Sequence, residues 1–348
     1  MAKGRFINIT GGLAALVSAI LFGVSTPFAK VLLTDISPWL MAGLLYLGAG
    51  IGLGGFGFFQ KGERAKLSAN EWPWLLGAIA SGGIVGPVLL MLGLSSTLGA
   101  SASLLLNAEG VFTALLAWFV FKENFDRRIA LGMSVIVAGT VVLSWSGTFN
   151  FDVLWPPLAV LGACFFWGLD NNLTRKISLT DARQITTIKG LVAGTVNTII
   201  ALALGAELPE VSFILLAGLI GFLGYGVSLV LFVIALRDLG TARTGAYFST
   251  APFVGAVVAI PLLGEAVTVQ LLIAGALMAF GVWLHLTEVH EHEHEHKDHE
   301  HTHSHIHDDH HDHHHEEIPE RPHIHWHRHP PMRHKHPHYP DAHHRHAH

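Results

Sequence analysis

Ten apolar runs constrain this chain more than any other feature. They lie near 11–33, 38–58, 73–94, 98–121, 128–146, 155–173, 185–204, 211–236, 244–263 and 268–286. A bilayer core about 30 Å thick needs roughly 20 apolar residues in a helix. Helices are the expected form because they satisfy every backbone hydrogen bond within the segment. Half of the chain is hydrophobic (51%) and only 14% is charged, far from soluble composition. The first run follows MAKGR. It is too long for the apolar part of a signal peptide and no A-x-A site follows, so it reads as a span. The lone cysteine, Cys164, falls inside a run and is expected to pack as a small apolar residue.

Charge sets the orientation. Lys3 and Arg5 precede the first run, and Lys61, Arg64 and Lys66 follow the second. Lys122, Arg127 and Arg128 follow the fourth, Arg175, Lys176 and Arg183 the sixth, and Arg237 the eighth. The alternate loops near 34–37, 95–97, 147–154, 205–210 and 264–267 contain no Lys or Arg. Because Lys and Arg collect in cytoplasmic loops, both termini are expected in the cytoplasm of a multi-pass protein of the cytoplasmic membrane. No basic patch points to nucleic acid.

The two halves resemble each other. AEGVFTALLAWFVFKENF (Ala108–Phe125) parallels APFVGAVVAIPLLGEAVT (Ala251–Thr268); a shift of 142 puts Glu123 on Glu265 and Gly139 on Gly281. LFGVSTPFAK (21–30) parallels FWGLDNNLTRK (166–176), with Gly23 opposite Gly168. Five spans per half means that the second half enters from the opposite side, the inverted-repeat plan of secondary transporters. The expected fold is an all-α membrane protein of ten transmembrane helices. Its parts are a short N-terminus (1–10), two inverted five-helix repeats (11–146 and 155–286) and a histidine-rich tail (287–348).

These two halves resemble the EamA-type drug/metabolite transporter superfamily, whose halves carry a Glu-Pro inside one span and a Gly-Glu at its end. Glu109 matches the acid, with Gly110 in place of proline; Pro252 matches the proline, with Ala251 in place of the acid. Gly264-Glu265 matches fully, and Lys122-Glu123 keeps the acid. The resemblance covers about residues 11–286 and implies transport of a small solute, often outward, with a substrate site between the halves.

Charged residues inside spans cost about 2.5–3.5 kcal/mol on insertion scales, so those present need a reason. Glu109 lies near the middle of its run, close to the bilayer midplane at about 1.5 Å of rise per residue. It is expected to contact solute or proton, or to sit hydrogen-bonded between helices. Asp170, Asn171 and Asn172 form a second cluster, of which one or two can face a cavity because helical neighbours are ~100° apart. Asp170 could instead pair with Arg175 or Lys189. Asn107, Tyr225, Tyr247, Ser249 and Thr250 offer hydrogen-bonding groups for solute or for helix contact. The solute-binding candidates are Glu109, Asn107, Asp170, Asn171, Tyr247 and Thr250. Lys30, Lys189 and Arg243 lie near run ends and are expected to extend to the interface; Trp167 is expected to pack. Gly50–Gly55 reads G-x-G-x-x-G but follows no strand, so close helix contact is expected there rather than dinucleotide binding. Pro27, Pro87 and Pro252 are candidate kinks. No catalytic motif appears, and no enzyme activity is expected.

The tail is a different material. Of 26 histidines the first is His285, and 25 fall between His290 and His348. The tail holds 13 acidic and 6 basic residues, a formal −7. Neutral imidazoles interleaved with carboxylates suit Zn, Ni or Co. The candidate ligands are His290, His292, His294, His296, His299, His301, His303, His305, His307, His310, His311, His313, His314 and His315. A segment this polar cannot bury a core and is expected to be disordered. No cofactor is required for transport. Three functions follow. One is a solute transporter with a metal-binding tail. A second is a divalent-metal transporter that uses the tail to collect ions; the spans, with two deep carboxylates and one thiol, offer it few ligands. A third is a membrane-tethered metal buffer, for which ten spans are far more than an anchor needs.

Overall fold

The computed structural model describes residues 2–58, 67–121, 127–145, 151–177, 180–239 and 241–286, and in the tail the backbone of 291–296, 299–305, 323–329 and 332–337. The body is helical. Its elements are α1 (Ala2–Leu32), α2 (Pro38–Phe58), α3 (Trp72–Ala78), α4 (Gly86–Ser96), α5 (Gly99–Leu105), α6 (Ala108–Phe119) and α7 (Arg127–Ser144) in the first half. The second half contributes α8 (Phe151–Arg175), α9 (Ala182–Ala203), α10 (Val211–Gly221), α11 (Ser228–Leu239), α12 (Thr241–Phe248), α13 (Ala251–Leu263) and α14 (Val269–Leu286). Six stretches are long and apolar enough to cross a membrane: Gly11–Leu32, Pro38–Gly55, Ala69–Ser96, Gly99–Phe119, Ala182–Ala203 and Val211–Leu236. Shorter apolar helices cover Arg128–Ser144, Ala251–Leu263 and Val269–Leu284. The protein is multi-pass.

The surface is inverted relative to a soluble fold. Large apolar side chains face outward, with Ile51 63%, Leu215 68% and Val257 68% exposed, while Ser18, Thr26 and Asn197 are completely buried. Lipid tails accept the first group, and small or polar side chains let helices close on each other inside. The G-x-G-x-x-G stretch illustrates this contact. A Cβ on Gly50 would come within 2.5 Å of the Leu191 amide and 2.8 Å of the Gly190 carbonyl carbon, so α2 and α9 touch backbone to backbone.

Four interruptions shape the interior, and they come in repeat-related pairs. Between α3 and α4, residues Ile79–Val85 form a π-helical segment; between α10 and α11, Phe222–Val227 do the same. The 142-residue shift puts Gly82 on Gly224. Runs 98–121 and 244–263 are each broken, at Leu106–Asn107 and at Ser249–Thr250. Hence Asn107 and Thr250 occupy the break before a half-helix in each repeat.

In the tail only backbone segments are described. Its described backbone pairs as two antiparallel ribbons, β1 (Glu291–His296) with β4 (Met332–Pro337) and β2 (His299–His305) with β3 (His323–His329). The alternation of His with another residue is a period-two pattern, which suits strands. Composition alone hides it.

Candidate functional site

A cavity of about 60 Å³ lies among α1, α2, α6, α8, α9, α11 and α12, large enough to hold several waters. Among the described residues its charged groups come from three elements, α6, α8 and α9. Glu109 stands in the first turn of α6, where the free amides of the half-helix favour a carboxylate. Asn171 on α8 donates from Nδ2 to Glu109 Oε1 at 2.8 Å and lies 3.3 Å from Thr113 Oγ1. Asp170 accepts from the Lys189 ammonium of α9, and its other oxygen takes the Thr174 hydroxyl at 3.0 Å.

The cluster 170–172 thus divides by direction. Asp170 and Asn171 line the cavity. Asn172 instead donates to the backbone oxygens of Thr113 at 3.0 Å and Gly168 at 2.8 Å, joining α8 to α6. Of the two partners open to Asp170 in the sequence, the structure selects Lys189. This corrects the expectation that Lys189 reaches the interface: its side chain is 2% exposed and lines the cavity. Pairing inside the bundle removes the need for water that drives a long cation outward. Lys30 donates to the Leu94 carbonyl at 2.8 Å.

Two further candidates sit elsewhere. Asn107 is buried; its amide nitrogen donates to the Leu104 carbonyl at 3.1 Å and lies 3.8 Å from Met278 Sδ. Thr250 donates to the Tyr247 carbonyl at 2.7 Å, and the Tyr247 ring lies against Gly12 on α1. These groups hold the helix breaks and helix contacts rather than line the cavity. Of the tail candidates, His292, His294, His296, His299, His301, His303 and His305 fall on β1 and β2. His290, His307, His310, His311, His313, His314 and His315 lie outside the described residues. Among the described residues no group of three or more His, Cys, Asp or Glu is placed to hold a metal.

The phenylalanines of the aromatic wall carry no mark in the sequence. The Phe22 ring meets Trp167 at 5.7 Å, Tyr225 at 5.6 Å and Phe248 at 5.4 Å, and Phe232 meets Phe248 at 4.8 Å. Trp167 packs, as expected, but it also lines the cavity and donates from Nε1 to the Gly82 carbonyl at 3.0 Å. Tyr46 donates to that same carbonyl at 2.5 Å. The π-helical turn frees the carbonyl for both. Gly82 allows nothing larger, since a Cβ there would fall on the Asp170 carboxylate. Cys164, buried, lies 3.6 Å from the Leu105 carbonyl and acts as packing.

Two similar halves around a polar, aromatic-lined cavity match a known plan. Residues 9–145 and 154–287 each match the EamA-like transporter family. The chain belongs to that family. An uncharacterized transporter of Methanothermobacter thermautotrophicus is 31% identical over 308 residues, covering 81% of this chain and 88% of the relative. A Salmonella typhimurium protein named as a probable amino-acid metabolite efflux pump is 25% identical over 300 residues, covering 79% and 94%. A solved crystal structure shares the fold at TM-score 0.62 and 19% identity, covering 78% of this chain and 94% of that one. The protein is a membrane transporter of small solutes, and the family is not enzymatic.

Proposed function

We propose that this EamA-family protein is a ten-span secondary transporter that exports a small organic solute across the cytoplasmic membrane. The observation that carries the reading is the cavity at the junction of the repeats, where Glu109 and Thr113 of one half face Asp170 and Asn171 of the other. In inverted-repeat transporters the two halves rock about a site of this kind and expose it to each side in turn. The Salmonella relative's name favours the outward direction. The absence of Lys and Arg from alternate loops supports ten spans with both termini cytoplasmic.

The divalent-metal alternative fares worse at this cavity. With Asp170 held by Lys189 and Thr174, Glu109 is the one carboxylate left open to an ion among the cavity's described residues, too few ligands for a divalent transition metal. Metal chemistry is better assigned to the tail, which we read as a cytoplasmic binder of Zn, Ni or Co that buffers ions or tunes transport from outside the translocation path. The tethered-buffer reading leaves the family's transport fold without a use.

The test is accumulation in everted membrane vesicles, in which an exporter loads solute inward. Fractionated cell extract supplies the solutes, and vesicles from a strain lacking the protein serve as reference. Solute taken up only when the protein is present, and still taken up after truncation at Thr287, is the expected result. Uptake that needs the tail, or uptake of divalent metal alone, would overturn it. An externally active reporter fused after His348 should stay silent; a signal would defeat the topology.

A further inference from the structure

The charge inventory of the cavity is uneven. Among the described residues three charged side chains of opposite signs line it: Glu109, Asp170 and Lys189. Asp170 and Lys189 close on each other, with side-chain exposures of 8% and 2%, and Thr174 occupies the second oxygen of Asp170. That pair is neutral and already satisfied. Glu109 has only the uncharged amide of Asn171 and the partial charge of its helix start. The cavity therefore carries one carboxylate with no full counter-charge among the described residues.

The rest of the lining suits the complement of that carboxylate. Phe22, Trp167, Tyr225, Phe232 and Phe248 surround the space, and aromatic faces attract cations as well as apolar bodies. The Tyr225 residue is 6% exposed, and its hydroxyl has no hydrogen-bond partner among the described residues. The neighbouring Ser25 hydroxyl is turned to the Phe22 carbonyl at 2.6 Å. A buried hydroxyl without a partner, on a residue that lines the cavity, is a place where a ligand supplies one.

Resting on the transport reading above, we infer that the solute is an organic monocation, an amine carrying an apolar or aromatic body. Its ammonium donates to Glu109 and to the Tyr225 oxygen, and its body packs among the aromatic rings. An organic anion meets the Glu109 carboxylate. A zwitterion needs a second, cationic partner for its own carboxylate, and the one cation lining the cavity among the described residues, Lys189, is held by Asp170. The site thus separates amines from the amino acids and acids that share their side chains.

The experiment uses a series on one body: phenethylamine, phenylalanine, 3-phenylpropionate and phenethyl alcohol. Binding to the purified full chain in nanodiscs is read by thermal shift and by tryptophan fluorescence, and exchange is read in proteoliposomes. Phenethylamine should bind about ten-fold or more tighter than the other three, the scale of a charge-assisted hydrogen bond. Glu109→Gln should remove that preference and leave phenethyl alcohol nearly unchanged; Tyr225→Phe should weaken the amine by a few-fold. If Glu109→Gln does not fold, the ranking on the wild-type chain decides alone. Equal or tighter binding of phenylalanine or 3-phenylpropionate, or no binding of any probe, overturns the assignment. Exchange of phenylalanine without the amine sinks the inference and leaves the transport reading standing. Amine binding without exchange of any probe sinks the transport reading and leaves the ligand class.

Discussion

The Asp170–Lys189 pair makes a quantitative demand on stability. Both side chains are almost fully buried, in helices α8 and α9 of the same repeat. Removing one partner of such a pair costs about 3–5 kcal/mol, because a charge stays behind without its counter-ion. The structure ranks the two removals. Lys189→Met keeps the length of the side chain but leaves the Asp170 carboxylate with only the Thr174 hydroxyl at 3.0 Å, so its cost belongs in the upper part of that range. Asp170→Asn leaves the ammonium an uncharged carbonyl oxygen to bond and belongs near the lower end. The double variant has no orphan charge, and its residual cost is one lost hydrogen bond, about 1 kcal/mol. The coupling between the sites is then about 5 kcal/mol or more, well above what separate sites show. Unfolding of the purified chain in mixed micelles, followed by tryptophan fluorescence, measures all four corners. Additive single effects, or single variants within about 1 kcal/mol of wild type, would refute the pairing as the reason these charges are tolerated.

Other consequences are smaller but separable. Glu265 accepts from the amides of Gly99 at 2.5 Å and Ala100 at 2.8 Å, capping α5 of the first repeat from the second; Glu265→Ala should lower stability by about 1–2 kcal/mol. An unchanged unfolding midpoint would show the cap to be idle. Gly82→Ala should strongly destabilise, since its methyl would meet the Asp170 carboxylate, whereas Gly218→Ala, with nothing within 4 Å of the added carbon, should gain about 0.5–1 kcal/mol from helix propensity. The reverse order in a thermal melt would contradict the packing. Truncation after Thr287 should abolish most divalent-metal binding while the body still inserts. In the intact chain the metal should be released as pH falls through ~6.5, where imidazole takes a proton. Full metal stoichiometry in the truncated protein would place the ligands in the helices.

Much of the scaffold is legible because it depends on run length. Every apolar run coincides with helix, and the Glu123–Glu265 register exposes the repeat before any coordinates. Windows of twenty residues do not resolve what happens inside a run, so the two π-helical turns and two helix breaks are hidden. Gly82-Gly83 and Gly224-Tyr225-Gly226 are their faint signals. At the site, Glu109, Asp170 and Asn171 stand out because polar groups in apolar runs are rare. Lys189 is misread because distance from a run end is a poor guide to burial when a counter-ion waits on the next helix. Asn107 and Thr250 stand out for the same reason as Glu109, yet serve the breaks. The aromatic wall is invisible: 20 phenylalanines look alike in sequence, and only packing singles out Phe22, Phe232 and Phe248.

The repeats agree in backbone and differ in charge, and that difference bears on how the protein moves. Gly82 and Gly224 occupy equivalent π-helical turns, and Asn107 and Thr250 equivalent breaks. Yet Glu109 stands opposite Ala251, and the shift that pairs Gly23 with Gly168 puts Asp170 opposite Ser25. An inverted pair of halves must present the same hinges to both sides of the membrane, so its interruptions stay matched. Side chains at the centre face the solute from both sides and are free to diverge. The contacts then sort by whether they cross between the halves. The Asp170–Lys189 pair lies within the second half and should travel with it. The Glu109–Asn171 bond joins α6 of the first half to α8 of the second, so rocking of the halves must lengthen it. Spin labels at Phe119 on α6, Leu158 on α8 and Ile199 on α9, all outward-facing, would separate these motions. The α6–α8 distance should be bimodal in proteoliposomes, and the α8–α9 distance should be single. A bimodal α8–α9 distance would mean that the halves are not the moving bodies.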